Sequence, residues 1–181
     1  MKKINNKPMS TAYIKDFIAA YFEKPEDNER GSDVLIYLMY LIGDGKTAPM
    51  PLMNLTLCAL DLNPDTESED IFGDGPDPEE LFCFVESEDG RKWFPLYSDV
   101  SEIGEAVNTN VVREVSVRSI VEAALDTETI DGIMINPDSD SFAVSKIVFE
   151  RMLEKAEGFK GMEEAGVVMN PATSKKNKRR K

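Results

Sequence analysis

The segment that most constrains the fold is residues 81–98, LFCFVESEDGRKWFPLYS, in which two apolar runs flank the dipeptide Asp89-Gly90. An Asp-Gly pair in this setting is typical of a β-hairpin closed by a type I′ turn, whose two central residues both need positive φ. With these residues at the turn, Val85 pairs with Phe94 and Glu86 pairs with Trp93. Both faces of such a hairpin are apolar, so neither is suited to lie in water.

The aromatic face of this hairpin is the first candidate binding surface. It carries Phe82, Phe84, Trp93 and Tyr97. Trp93 and Tyr97 are the candidate anchors for a protein partner, because aromatic side chains concentrate binding energy at interfaces. The alternative is that helices cover these rings as part of the core.

The rest of the chain alternates helical and strand-like patterns. Apolar residues recur at helical spacing over residues 10–24, and an apolar run over 34–42, with Asp33 as its N-cap, predicts a second helix. Further strands are expected at 48–60, 111–115, 132–135 and 142–144, and further helices after Ser98 or Asp99, after Ser116 and after Ser145. The prediction is an α+β fold with a mixed, mainly antiparallel sheet, a central hairpin and several packed helices. Residues 1–160 are expected to form one domain, and 161–181 a tail that is disordered and basic from about residue 171.

The charge of the chain is unevenly distributed. The formal net charge is −13, and without the six basic residues of the C-terminal KKNKRRK the remaining residues carry −19. Nine acidic residues lie in 61–80, which is expected to be an acidic insertion loop. The basic tail predicts either an arm for nucleic acid or an acidic partner, or a solubilising end that contacts the acidic body. Its candidate nucleic-acid-binding residues are Lys175, Lys176, Lys178, Arg179, Arg180 and Lys181.

Candidate catalytic and metal-binding residues are scarce. The chain has no histidine, which removes Ser-His-Asp and Cys-His catalysis and most zinc sites. It carries no P-loop, GxGxxG or GxSxG motif, and Ser98 is interpreted as a helix cap. Asp138 and Asp140 either contact a cation or cap their turn, and we favour the turn. Asn136 either bonds neighbouring backbone across the same turn or contacts a ligand at its rim. We therefore predict no catalytic residue, metal or cofactor, although a carboxylate acid-base pair stays open.

The compartment is inferred from what the sequence lacks. The longest apolar stretch, 34–42, has nine residues and is too short to span a bilayer, and the N-terminus shows no secretory pattern. Cys58 and Cys83 lie in apolar segments and are interpreted as reduced, buried thiols. These features predict a cytoplasmic protein that does not bind membranes.

Several short motifs, in this order, resemble the bacterial SseB-like N-terminal domain. They are DVLIYLMYLI, PMPLM, DGRKWFPLYSDVSEI and DGIMINPDSDSFAVSKIVFERML, which together span about two-thirds of the chain. The resemblance implies an apolar helix, a strand, a DG hairpin, a step through Tyr97-Ser98 into a short helix, and the turn at Asn136-Pro137. The acidic insertion and the basic tail depart from it. The family's name refers to enhanced serine sensitivity, and the resemblance implies no catalytic activity.

These observations together predict a non-enzymatic protein-interaction or regulatory module. The candidate partner-binding residues are Trp93, Tyr97, Asn136 and Asp138. The alternatives are a small-molecule-binding protein or enzyme of amino-acid metabolism, and a nucleic-acid-associated factor that uses the basic tail.

Overall fold

The computed structural model describes residues 10–52, 82–105, 112–165 and 169, and it confirms an α+β fold. The helices are α1 (Ile14–Glu23), α2 (Asn28–Gly43), α3 (Val117–Asp126) and α4 (Phe149–Ala156). The strands are β1 (Thr47–Pro51), β2 (Val85–Glu86), β3 (Lys92–Leu96), β4 (Val112–Ser116), β5 (Gly132–Ile135) and β6 (Phe142–Ser145). Short 3-10 helices lie at Thr11–Tyr13, Val100–Glu102, Lys146–Val148 and Glu157–Phe159.

The strands form two sheets that meet at the predicted hairpin. β1 and β4 pair antiparallel, and the other sheet has the order β2-β3-β5-β6. Within it β3 and β5 are parallel and the other pairs are antiparallel. In the described part of the chain, a bridge between Leu52 and Phe82 joins the two sheets, and the Cys83 amide donates to the Pro51 carbonyl at 3.3 Å. The hairpin therefore lies between β1 and β5, in the central position that the sequence predicts.

The hairpin turn differs from the sequence prediction. Gly90 has φ 79°, but Asp89 does not have positive φ, so the turn is not type I′. The Ser87 amide donates to the Arg91 carbonyl at 2.9 Å and leaves a three-residue loop, 88–90. Val85 consequently pairs with Trp93, one residue away from the predicted partner. A three-residue loop with glycine in the left-handed position is the next commonest way to close a hairpin.

Helix α2 starts earlier than the sequence predicts. The sequence predicts Asp33 as the N-cap, but the helix begins at Asn28, and Asp27 caps it by accepting from the Glu29 amide at 3.1 Å. The buried Arg30 guanidinium then donates to the Ala20 carbonyl near the end of α1. This contact ties the two helices together, so tertiary packing extends the helix through a polar stretch.

The core is built mainly from α2, the other three helices and the inner face of the sheet. The rings of Phe17 and Tyr37 stack with centroids 4.5 Å apart, which joins α1 to α2. Phe94, Ile133 and Val144 bring the inner face of β3, β5 and β6 into the same cluster. α3 connects β4 to β5 and packs against both β3 and β5. This crossover is what allows β3 and β5 to lie parallel.

The packed part of the chain extends past residue 160, the predicted end of the domain. Met162 packs against the core, and Glu163 forms an ion pair with Lys46, which also contacts Asp44 at 3.2 Å. Residues 53–60 of the predicted first long strand, the acidic segment 61–80 and the basic tail residues lie outside the described residues. In the described parts of the chain, no helix is long and apolar enough to cross a membrane.

Candidate functional site

The candidate site lies where the two parallel strands end. Tyr97 and Ser98 follow β3, and Asn136 to Asp138 follow β5. The carboxyl ends of parallel strands meet at one edge of a sheet, which is where open sheets most often bind ligands. We call Tyr97, Ser98, Gly104, Asn136 and Asp138 the rim cluster. Three of the four predicted partner-binding residues belong to it, so the fold brings them together.

Asn136 joins the two strand ends through its side chain. Its Oδ1 accepts from the Ser98 amide at 2.8 Å, and its Nδ2 donates to the Ser98 Oγ at 3.0 Å. Its backbone amide donates to the Leu96 carbonyl at 3.0 Å, and its φ is 48°, in the left-handed region that asparagine tolerates. Its side chain therefore bonds the loop after β3 and not the backbone across its own turn, which was one of the two roles predicted for it. Both residues are buried, so these bonds are shielded from water.

Asp138 holds the loop that follows β3. Its Oδ2 accepts from the Tyr97 hydroxyl at 2.8 Å and from the Gly104 amide at 2.9 Å. Burial and, after it, the bond to Asp138 raise the pKa of Tyr97 well above its ordinary value, so the phenol stays protonated and donates. A Cβ on Gly104 would lie 2.8 Å from the Asp138 Cγ, which requires glycine or a shift of the loop. Asp138 thus acts as a loop clamp.

Further polar contacts surround the rim cluster. Ser139 Oγ donates to the Glu102 Oε2 at 2.8 Å, and the Lys15 ammonium lies 3.5 Å from the Glu102 Oε1. These bonds tie the β5–β6 turn, the loop after β3 and the first turn of α1 to one another. The polar side chains of the rim therefore bond to one another, which is typical of residues that hold loops in place. In the described residues, no three His, Cys, Asp or Glu side chains are placed to hold a metal ion.

Trp93 and Tyr97 are not exposed docking anchors, which corrects the expectation for the aromatic face. Their exposed fractions are 2% and 1%. The Trp93 indole N–H donates to the Ser87 Oγ at 3.0 Å, and the Arg91 guanidinium lies 5.0 Å from the centre of its ring. Phe82 is also buried, whereas Phe84 is 41% exposed, so three of the four rings of the predicted aromatic face are covered and one is not.

The sequence interpretation missed an exposed apolar pair. Ile147 is 86% exposed and Val148 is 36% exposed, in the 3-10 helix that directly follows β6. The last helix is predicted to follow Ser145 directly, but α4 begins at Phe149, so Ile147 and Val148 precede it. We call Ala143, Ser145, Ile147 and Val148 the edge patch, since β6 is an end strand of its sheet and Ala143 and Ser145 are exposed.

No family model, curated protein or solved structure matches the chain. The resemblance to the SseB-like domain therefore stays a prediction.

Proposed function

We propose that the protein is a non-enzymatic protein-interaction or regulatory module of the SseB-like type. The observation that supports this most directly is the 86% exposure of Ile147 next to Val148, at the end of an edge strand. Single exposed aliphatic side chains are common on protein surfaces and need no explanation. Here two consecutive ones adjoin a strand edge, which combines apolar contact area with backbone hydrogen-bonding groups.

The rim cluster supports the non-enzymatic part of the proposal. A general base or nucleophile must be within reach of a substrate, with its reactive atoms available. The Ser98 Oγ accepts from Asn136, and one oxygen of Asp138 accepts from two internal donors. The observed contacts of Ser98 and Asp138 are those of residues that hold the two loops together.

The decisive experiment is in-cell cross-linking with quantitative mass spectrometry, followed by titration of the purified protein with the partner it identifies. We expect Ile147→Asp to weaken the dissociation constant about tenfold or more, because a charge replaces an apolar contact. Val100→Asp is the matched control, since Val100 is also an aliphatic residue on a 3-10 helix and is 51% exposed. It should bind like the wild type, and both variants should keep the wild-type thermal unfolding profile.

Two results would count against this function. One is the absence of any partner whose cross-linking responds to Ile147→Asp. The other is a small metabolite that raises the melting temperature by several degrees, since only ligand binding to the native state produces such a shift. The second result would favour the small-molecule alternative.

A further inference from the structure

The backbone of β6 offers hydrogen-bonding groups to a further strand. The Lys146 amide donates to the Asp131 carbonyl at 2.8 Å, and residues 133 and 144 pair two positions farther along. Backbone groups alternate in direction along an antiparallel strand, so those of Phe142 and Val144 point toward β5. Those of Ala143 and Ser145 point away from it. Two N–H donors and two carbonyl acceptors are therefore directed outward from this edge.

The end strands of the two sheets differ in the residues that protect their edges. Natural edge strands commonly carry charged residues or proline, which discourage pairing with other chains. β4 follows this rule, with Arg113 and Glu114 exposed on it. The exposed residues of β6 are instead the small, uncharged Ala143 and Ser145. β1 contains Pro49 and Pro51, and β2 exposes Glu86. Among the described end strands, β6 is therefore the one with neither an exposed charge nor a proline, and it continues into Ile147.

The charges near this edge indicate the kind of partner. Asp138 and Asp140 are exposed just before β6, and Glu150 is exposed just after it, with Arg151 as the one exposed cation within residues 138–151. The sequence outside the six basic tail residues carries −19. Such a surface attracts basic segments and repels a second acidic copy of the same protein.

We propose that β6 pairs with an extended, basic segment of another protein, which adds a strand to the sheet and packs an apolar side chain on Ile147. This inference rests on the proposed interaction function and names its surface and its mode. Main-chain hydrogen bonds to Ala143 and Ser145 supply the pairing, and the flanking carboxylates select basic sequences.

The test uses the full chain and a defined probe, an end-blocked octapeptide of alternating valine and lysine. Binding is followed by fluorescence anisotropy, and amide hydrogen exchange is followed by NMR with and without saturating peptide. We expect the amides of Ala143 and Ser145 to exchange at least tenfold more slowly in the complex. The amide of Val144, already bonded to β5, should change little, so the protection should alternate along β6.

Two sets of controls accompany this measurement. Ala143→Pro removes one outward donor at an edge position, where proline is tolerated, and should weaken binding about tenfold. Ser145→Ala keeps the backbone groups and should bind like the wild type. A peptide of alternating valine and glutamate should bind about tenfold more weakly than the lysine peptide. The exchange measurement on the wild type decides the question even where Ala143→Pro does not fold.

Several outcomes would overturn the inference about β6. They are no binding of the lysine peptide, binding without alternate amide protection, and equal binding of the glutamate peptide. A dimer in sedimentation experiments whose own Ala143 and Ser145 amides are protected would assign the edge to a second copy instead. None of these results overturns the proposed interaction function, which is tested separately by cross-linking with Ile147→Asp and by the metabolite thermal shift.

Discussion

Replacing Asn136 by alanine should destabilise the protein strongly, because one side chain joins the ends of two strands. The substitution removes the acceptor of the Ser98 amide, at 2.8 Å, and the donor to the Ser98 Oγ, at 3.0 Å. Ser98 is buried, so water does not readily replace the lost acceptor. Alanine must in addition adopt φ 48°, which asparagine accepts more easily.

The expected magnitude follows from these three contributions. A buried amide without an acceptor costs about 1–3 kcal/mol, and the second bond contributes roughly 1 kcal/mol. The left-handed conformation adds about 1 kcal/mol for alanine. Asn136→Ala should therefore lower the free energy of unfolding by roughly 3–5 kcal/mol, a large part of the ~5–15 kcal/mol typical of a domain.

Urea unfolding followed by tryptophan fluorescence measures this loss. Trp93 is the only tryptophan of the chain and is buried, so its emission reports on the sheet next to the rim cluster. The analysis requires that the urea dependence of the unfolding free energy be the same in all variants.

Two matched variants separate the contributions. Asn136→Gly tolerates positive φ and should be about 1 kcal/mol more stable than Asn136→Ala. Ser98→Ala loses only the bond between the two side chains and should cost about 1–2 kcal/mol. If Asn136→Ala lowered the free energy of unfolding by less than about 1 kcal/mol, the Asn136 side chain would not be what holds the ends of β3 and β5 together.

Three further perturbations test other parts of the structure. Gly132 has φ 156° and a Cβ there would collide with a carbonyl oxygen of β6, so Gly132→Ala should lose roughly 3 kcal/mol or more in urea unfolding, and an unchanged midpoint would contradict the register. The hydrogen bond from Arg91 lowers the pKa of Asp89 from 3.8 to about 2, so the contact is present above pH 3.8 and is lost as the pH falls through about 2. The Trp93 indole donates to the Ser87 Oγ, which in turn donates to Asp89, so the NMR chemical shift of the indole N–H should change as Asp89 titrates. In the Asp89→Asn variant this pH-dependent change should be absent. Among the described residues, the buried Thr127 Oγ1 has no hydrogen-bond partner. Thr127→Val should therefore be neutral or raise stability by up to about 1 kcal/mol in thermal unfolding, and a clear loss would reveal a partner for this hydroxyl.

The fold class could be predicted because the local patterns are strong and agree with the tertiary structure. α1 begins at Ile14, near the start of the predicted helix, and ends two residues before Pro25. β5 has the predicted bounds, because a short apolar run after Asp131-Gly132 has few other ways to be buried. The α2 start could not be predicted in this way, since it depends on Arg30 reaching across to α1.

The hairpin shows where local pattern stops being sufficient. Asp-Gly is compatible with both a two-residue and a three-residue turn, and the choice shifts the register by one residue. Side-chain contacts accompany the three-residue loop, because the Ser87 Oγ donates to the Asp89 Oδ1 at 2.6 Å and accepts from the Trp93 indole. These contacts form only when the strands are already paired, so the sequence pattern alone does not reveal them.

The candidate site was predictable in position but not in role. Tyr97, Asn136 and Asp138 were singled out from short motifs, and the fold places them at one rim. Their partners are residues 34 to 41 positions away in the chain, so no local pattern shows that they bond each other. The edge patch was missed for a related reason, because the availability of backbone groups depends on which strand is last in the sheet.

The different roles of the rim cluster and of the edge patch make them separable by mutation. Rim side chains hold the strands together, so substitutions there should change stability and binding together. At the edge patch the interacting groups are mainly backbone atoms, which side-chain truncation at Ser145 leaves in place. An alanine scan read only by binding would therefore report the rim and overlook β6. Measuring both the free energy of unfolding and the alternate amide protection along β6 distinguishes a residue that supports the surface from one that belongs to it.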